Sequence, residues 1–270
     1  MMEQYVNKIF NEDCLEFAKR LPDNCIDLII TSPPYDNMRD YKRYSFDFEN
    51  ISKQLFRITK KGGILVWIVG DATLDGSETG TSFKQALYFK EIGFNLHDTM
   101  IYMKNGTTFP NEKRYHQCFE YMFILSKGTP STVNLIKDRP NSQSNKIHKN
   151  RWERQKNGDI KFRDKEQYKI LDIGSRWNIW IYEVGWQKTT ADTFAYQHPA
   201  MFPELLAQDH ILSWSNANDI VYDPFAGSGT VAKMCLVNNR KYIGTEISKQ
   251  YFDIATERIK TAQAQGRLDL

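Results

Sequence analysis

The chain has 270 residues, 41% hydrophobic and 26% charged, enough for one large α/β domain or a domain with an insertion. No apolar stretch is long enough to span a bilayer and no secretory signal opens the sequence, so a cytoplasmic location is expected. Cys14, Cys25, Cys118 and Cys235 are scattered without metal-ligand spacing, so reduced thiols and no metal centre are expected. The net charge of +3 is too small to call for nucleic acid, but its distribution is uneven. Between Lys137 and Lys188 there are about 13 Lys and Arg against 7 Asp and Glu. That excess is either a phosphate-contacting surface or a solvated insertion, and charge alone leaves both open.

In chain order, β-branched apolar runs predict strands at Asp27–Thr31, Ile64–Val69, Asn95–Met103, Glu120–Leu125, Asp219–Tyr222 and Lys241–Thr245. Helical patterns lie between them. The first, Ile51–Thr59, is expected to end in the basic turn and glycine stop Lys60-Lys61-Gly62-Gly63. Others are predicted over Thr81–Ile92, Pro203–Trp214, Gly229–Asn238 and Ser248–Ala262. Strands alternating with helices predict an α/β, doubly wound, mostly parallel sheet covered on both faces. Residues 128–195 break the rhythm with Gly128-Thr129-Pro130, Arg139-Pro140-Asn141-Ser142 and much charge. They are expected to be an insertion between segments 1–127 and 196–270 of one domain.

Two motifs stand out. Thr31-Ser32-Pro33-Pro34-Tyr35 follows the first strand, and Asp223-Pro224-Phe225-Ala226-Gly227-Ser228-Gly229-Thr230 joins a late strand to a helix. Together they resemble the hallmark motifs of the DNA amino-methyltransferases, in the β-type order with the catalytic motif first. The resemblance covers residues 7–125 and 196–260. It implies a Rossmann-like domain that takes a methyl group from S-adenosylmethionine to an exocyclic amine of a base extruded from double-stranded DNA.

Such an amine is a poor nucleophile, because its lone pair is delocalised into the ring. Ser32 and the carbonyl of Pro33 can accept its hydrogens and favour a pyramidal nitrogen. Pro33 and Pro34 restrict the backbone before the base arrives, and Tyr35 can stack on the extruded ring. No cysteine follows a proline, which disfavours the covalent route of C5-cytosine enzymes.

The glycine turn is not the dinucleotide fingerprint, whose glycines are spaced differently. By resemblance, Asp223 opens the cofactor turn, and Phe225, Ala226, Gly227, Ser228, Gly229 and Thr230 surround the methionine part. Glu246, at the end of the next strand, takes the ribose hydroxyls. Asp13 either contacts the cofactor adenine or caps the helix starting near Leu15. His198, in His198-Pro199-Ala200-Met201-Phe202-Pro203, is either a cofactor contact or a structural histidine; Phe202 stands where many relatives carry a lysine.

The insertion is the expected target-recognition region, with Arg139, Arg151, Arg154, Arg163 and Arg176 as candidate DNA contacts. Ser32 and Phe202-Pro203 lean toward N4-cytosine, with N6-adenine as the alternative. RNA or protein-amide methylation, and a DNA-binding module with a vestigial cofactor pocket, are the rival readings. The resemblance also raises, without deciding, a cognate restriction endonuclease and a homodimer.

Overall fold

A computed structural model describes residues 2–34, 46–106, 112–148, 151–163 and 168–268. Contacts divide the chain into two compact units: residues 1–134 with 178–270, and Leu135–Trp177.

The first unit is built on an eight-stranded sheet. Its strands are β1 (Lys8–Phe10), β2 (Ile26–Thr31), β3 (Thr59–Val69), β4 (Asn95–Lys104), β5 (Phe119–Ser126), β6 (Ile179–Tyr182), β7 (Ile220–Asp223) and β8 (Lys241–Thr245). They lie in the order β1-β8-β7-β2-β3-β5-β4-β6. Only β5 pairs antiparallel to its neighbours; every other pairing is parallel. The central strands read as continuous apolar runs because both of their faces are covered. In β2, Leu28, Ile29 and Ile30 are fully buried, and so are Leu65 to Val69 in β3.

Helices α1 (Cys14–Arg20), α2 (Phe48–Ile58) and α3 (Thr81–Glu91) supply one covering layer. Phe17, Leu55 and Phe89 from these three helices join Trp67 and Phe123 of the sheet in one core. The buried Trp67 indole is satisfied by Gln85 of α3, at 2.8 Å. Helices α4 (Glu204–Trp214), α5 (Thr230–Val237) and α6 (Lys249–Leu268) pack on one another as a second group, on the β7 and β8 half of the sheet. The doubly wound α/β architecture is as expected. None of the described helices is long and apolar enough to cross a membrane.

Two local expectations are corrected. Lys60-Lys61-Gly62-Gly63 does not terminate α2, because the helix stops at Ile58 and the quartet lies in β3. Lys60 instead pairs with Asp27 at 2.7 Å. The cation at the α2 C-terminus is Lys127, at the end of β5, whose Nζ donates to the carbonyls of Phe56 (2.7 Å) and Thr59 (2.9 Å). A helix end needs donors for its last carbonyls, and a cation there also meets the negative end of the dipole. Residues 179–182, read as insertion, form the parallel edge strand β6 beside β4.

The second unit is a ribbon of two antiparallel segments. Lys137–Pro140 pairs with Ile173–Ser175, Ile147–His148 with Tyr168–Lys169, and Arg151–Arg154 with Ile160–Arg163.

Replacing Lys127 by methionine keeps its stem and removes the donors. We expect a loss of about 1–3 kcal/mol in urea unfolding. Unchanged stability would show that water serves the α2 carbonyls equally well.

Candidate functional site

Four neighbouring parallel strands, β1, β8, β7 and β2, end at one edge of the sheet. Asn11–Asp13 follow β1, Glu246 follows β8, the glycine turn continues from β7, and Ser32-Pro33-Pro34 follow β2. Residues from four distant parts of the sequence therefore meet where ligands bind in open α/β sheets, outside the carboxyl ends of the strands.

The two signature motifs are joined directly. Thr31 Oγ1 donates to Asp223 Oδ1 at 2.7 Å, with both residues buried. The same oxygen accepts the Phe225 amide at 3.1 Å, which shapes the start of the turn. Burial pushes the Asp223 carboxyl up to about 7, against the lowering effect of these two donors. Ser32 is half-buried and Pro33 buried immediately beyond this bond. Tyr35 lies outside the described residues.

Glu246 is only 9% exposed and holds the turn from the other side. Its Oε2 accepts the Gly227 amide at 2.9 Å and its Oε1 the Ser248 amide at 2.8 Å. Burial raises its carboxyl, and the amide donors oppose that rise. Each carboxylate oxygen has a second acceptor direction, so these bonds leave capacity for ribose hydroxyls. These carboxylate acceptors thus fit the ribose hydroxyls of an adenosyl cofactor.

The two glycines are required by protein packing. A Cβ on Gly227 (φ +51°) would lie 2.9 Å from His198 Nε2, and one on Gly229 (φ +78°) 3.0 Å from Ala255 Cβ. His198 accepts the Ala200 amide on Nδ1 at 3.2 Å and packs edge-on against Tyr251. It is therefore placed over the turn. Ala226 is buried in the turn, and Phe225 meets Phe46 with ring centroids 5.7 Å apart.

Ser228 and Thr230 are bound from behind by a residue that sequence reasoning missed. Arg258 of α6 is 1% exposed. Its Nη1 donates to Thr230 Oγ1 at 2.9 Å and to Ser228 Oγ at 3.2 Å. Its Nε donates to Asp192 at 2.6 Å, and its Nη2 pairs with Glu204. Lys233 of α5 bonds the same two carboxylates at 2.7 and 2.8 Å. Burial alone would raise both carboxyls, but Lys233 and Arg258 outweigh it and hold them below their usual values. This four-charge cluster is neutral as a set and ties α4, α5 and α6 to the back of the turn. Removing one partner from a buried pair is far more damaging than the net worth of the pair. No motif marks it, since Asp192 and Arg258 are 66 residues apart.

Asp13 is the α1 N-cap, and its Oδ1 accepts the Leu15 and Glu16 amides at 2.9 and 3.1 Å. In the second unit, Arg139 donates to the Ser175 carbonyl at 2.9 Å and lies over the Trp177 ring. Arg176 pairs with Asp138. Arg154 is exposed, and the register sets Arg151 opposite Arg163.

Residues 26–257 match the family model described as DNA methylase. The chain is 59% identical over 243 residues to "Orphan methyltransferase M.BamHII" of Bacillus amyloliquefaciens, covering 90% of this chain and 91% of that one. It is 28% identical to "Type II methyltransferase M.BglII" of Bacillus subtilis, covering 94% and 69%. The fold is similar to the cytosine-N4-specific PvuII DNA methyltransferase, with a TM-score of 0.66, 17% identity and coverage of 95% and 90%. It is also similar to M1.HpyAVI in its SAM complex, with a TM-score of 0.62, 21% identity and coverage of 93% and 98%.

The elevated Asp223 carboxyl has a consequence for stability. Its folded value near 7 lies above the ordinary 3.8, so the folded state holds its proton longer. Stability from this group is complete below about pH 4, falls as pH rises toward about 7, and is flat beyond. Asp223→Asn removes the titration. We expect the parent to lose more urea stability than the variant between about pH 5 and about pH 8. Equal losses would mean that Asp223 ionises freely in the folded chain.

Proposed function

This chain belongs to the N6/N4 DNA methylase family, and on that premise we propose that it methylates the exocyclic amine of a flipped base within a specific double-stranded DNA sequence, with cytosine N4 as the leading target. The observation that carries this reading is the bond between Thr31 and Asp223. It fixes Ser32-Pro33-Pro34 beside the turn that follows Asp223, so the acceptor groups and the cofactor turn share one anchor.

The protein is an S-adenosylmethionine-dependent DNA methyltransferase. The bound cofactor supplies an electrophilic methyl group. Ser32 Oγ and the Pro33 carbonyl accept the two amine hydrogens and turn the nitrogen lone pair toward the methyl donor. Little order remains to be imposed, because the prolines fix the backbone in advance. Glu246 holds the ribose, and Asp13 lies at the same strand-end edge for the adenine. His198, Phe225, Ala226 and Gly227 shape the wall beside the methionine part, while Ser228, Gly229 and Thr230 keep that wall in position. Tyr35 follows Pro34 in the chain and stacks on the base. An amine paired inside a duplex cannot reach these acceptors, which requires extrusion of the base.

Cytosine N4 is favoured by Ser32, the residue at the first position of the Ser32-Pro33-Pro34 motif. Adenine N6 presents the same pair of hydrogens and is the competing target. The orphan relative favours a solitary modification enzyme, whereas the type II relatives favour a cognate restriction endonuclease. Recognition is assigned to the second unit, which carries the chain's positive excess.

The deciding assay incubates the protein with labelled S-adenosylmethionine and mixed-sequence duplex DNA, then digests the product to nucleosides. Label in N4-methylcytosine is the expected result; label in N6-methyladenine reassigns the base, and no label removes the activity. Within it, Ser32→Ala should slow single-turnover methylation roughly ten- to a hundredfold, about 1–3 kcal/mol, with S-adenosylhomocysteine affinity unchanged. An unaffected rate excludes Ser32 from the reaction. Glu246→Gln keeps an acceptor for one amide but loses the charge. Calorimetry should show S-adenosylhomocysteine binding weakened roughly tenfold or more. Parent-like affinity would leave Glu246 a purely structural clasp of the turn.

A further inference from the structure

Among the fully buried side chains of the described residues, Arg258 is the one that carries a charge. A guanidinium in that position is costly unless its donors are met. Its three nitrogens face two ways. Nε donates to Asp192 at 2.6 Å, and Nη2 donates to Thr190 Oγ1 at 3.0 Å and pairs with Glu204. Nη1 is turned to the glycine turn. It donates to Thr230 Oγ1 at 2.9 Å, to Ser228 Oγ at 3.2 Å and to the Ser228 carbonyl at 3.3 Å. The guanidinium is a rigid planar fork, so two carboxylates that fix one side of it also fix the other. Lys233 shares both carboxylates and completes the neutral set.

The direction of these bonds carries information. A guanidinium only donates, so both hydroxyls meet Arg258 with an oxygen lone pair. Each hydroxyl therefore keeps its own hydrogen for an acceptor. Among the described residues, neither Ser228 nor Thr230 donates that hydrogen to a protein group. Both residues are buried, where an unmet donor costs free energy. Thr230 also opens α5, and its N-cap Gly229 offers no side chain to the amides of the first turn. Hydroxyl hydrogens beside free amides at a helix start suit an anion. The methionine part of S-adenosylmethionine has one anionic group, its carboxylate. Its ammonium and sulfonium cannot accept a hydrogen bond.

We propose that Arg258 is a positioning residue for cofactor binding: held by Asp192 and Glu204, it occupies the lone pairs of Ser228 and Thr230 and so directs both hydroxyl hydrogens to the cofactor carboxylate. The proposal rests on the reading that residues 225–230 surround the methionine part, and it deepens that reading by naming the group that the turn meets. Arg258 touches no reacting atom. It acts only through the two hydroxyls.

Calorimetry with two ligands separates this role from support of the fold. S-adenosylhomocysteine carries the carboxylate, whereas 5′-methylthioadenosine keeps the adenosine and the sulfur and lacks the amino-acid part. Ser228→Ala and Thr230→Val leave the charge cluster intact. Each should weaken S-adenosylhomocysteine roughly tenfold and leave 5′-methylthioadenosine at the parent's affinity. Arg258→Lys keeps the charge and loses the fork, and the same selective loss is expected. Arg258→Met combined with Glu204→Gln removes one charge of each sign, so the remaining pair stays balanced; its loss should again be confined to S-adenosylhomocysteine. Thermal melting of each variant checks that it folds. Should neither Arg258 variant fold, the two hydroxyl variants decide: a selective loss supports the proposal and parent-like affinity overturns it. Equal losses for both ligands in the Arg258 variants would make the residue a support of the fold alone and also overturn it. The measurement needs neither DNA nor methyl transfer, so its outcome is separate from that of the methylation assay. If the parent itself binds S-adenosylhomocysteine no tighter than 5′-methylthioadenosine, the turn does not hold the methionine part, and that reading falls together with the proposal. If the parent prefers S-adenosylhomocysteine and every variant keeps the preference, only the role of Arg258 falls.

Discussion

The contact between Thr31 Oγ1 and Asp223 Oδ1 closes a gap of 192 residues in the chain. It exists because β2 and β7 are parallel neighbours in register, with Leu28 beside Val221 and Ile29 beside Tyr222. A parallel pairing brings like ends of strands together, so whatever each strand leads into emerges at the same edge. Ser32 and the glycine turn are thereby placed side by side without either motif specifying the other. Burying the Asp223 carboxylate is costly and pushes its carboxyl up, and the Thr31 hydroxyl offsets part of that cost.

The turn itself is held from three directions. Glu246 accepts the Gly227 amide, His198 lies against Gly227, and Arg258 grips Ser228 and Thr230. A loop so fixed has little conformational freedom left to lose. The cluster of Arg258, Lys233, Asp192 and Glu204 extends the same control to three helices at once. Its ion pairs are buried and mutually satisfied, so losing any one member would leave a buried charge uncompensated.

The two units are stabilised by different physics. The first buries continuous apolar strands under helices on both faces. The second is a ribbon with its large apolar residues exposed and the chain's net positive charge concentrated on it. A rigid packed core and a charged, open surface are thus separated along the chain.

Much was legible in the sequence because local periodicity reports burial directly. Ile29-Ile30, Leu65 to Val69 and Leu125 predicted strands that form, and Thr31 to Pro34 and Asp223 to Thr230 marked where β2 and β7 lead into the two turns that the Thr31–Asp223 bond joins. Short or charged elements gave no such signal. The edge strand Ile179–Tyr182 has a neighbour on one side only, and the ribbon alternates charged and aromatic residues without a core to impose a period. Lys60 to Gly63 read as a helix stop because composition cannot reveal that Lys127, 70 residues away, reaches the α2 terminus. Asp13 presented two roles in sequence, and the cap geometry displays one of them. By itself the sequence determined most of the central strands and helices and the residue types at each turn, because both depend on neighbouring residues. Only the tertiary structure decided which turns meet, which charges are buried together and which arginines are already engaged, because those depend on contacts between residues far apart in the chain.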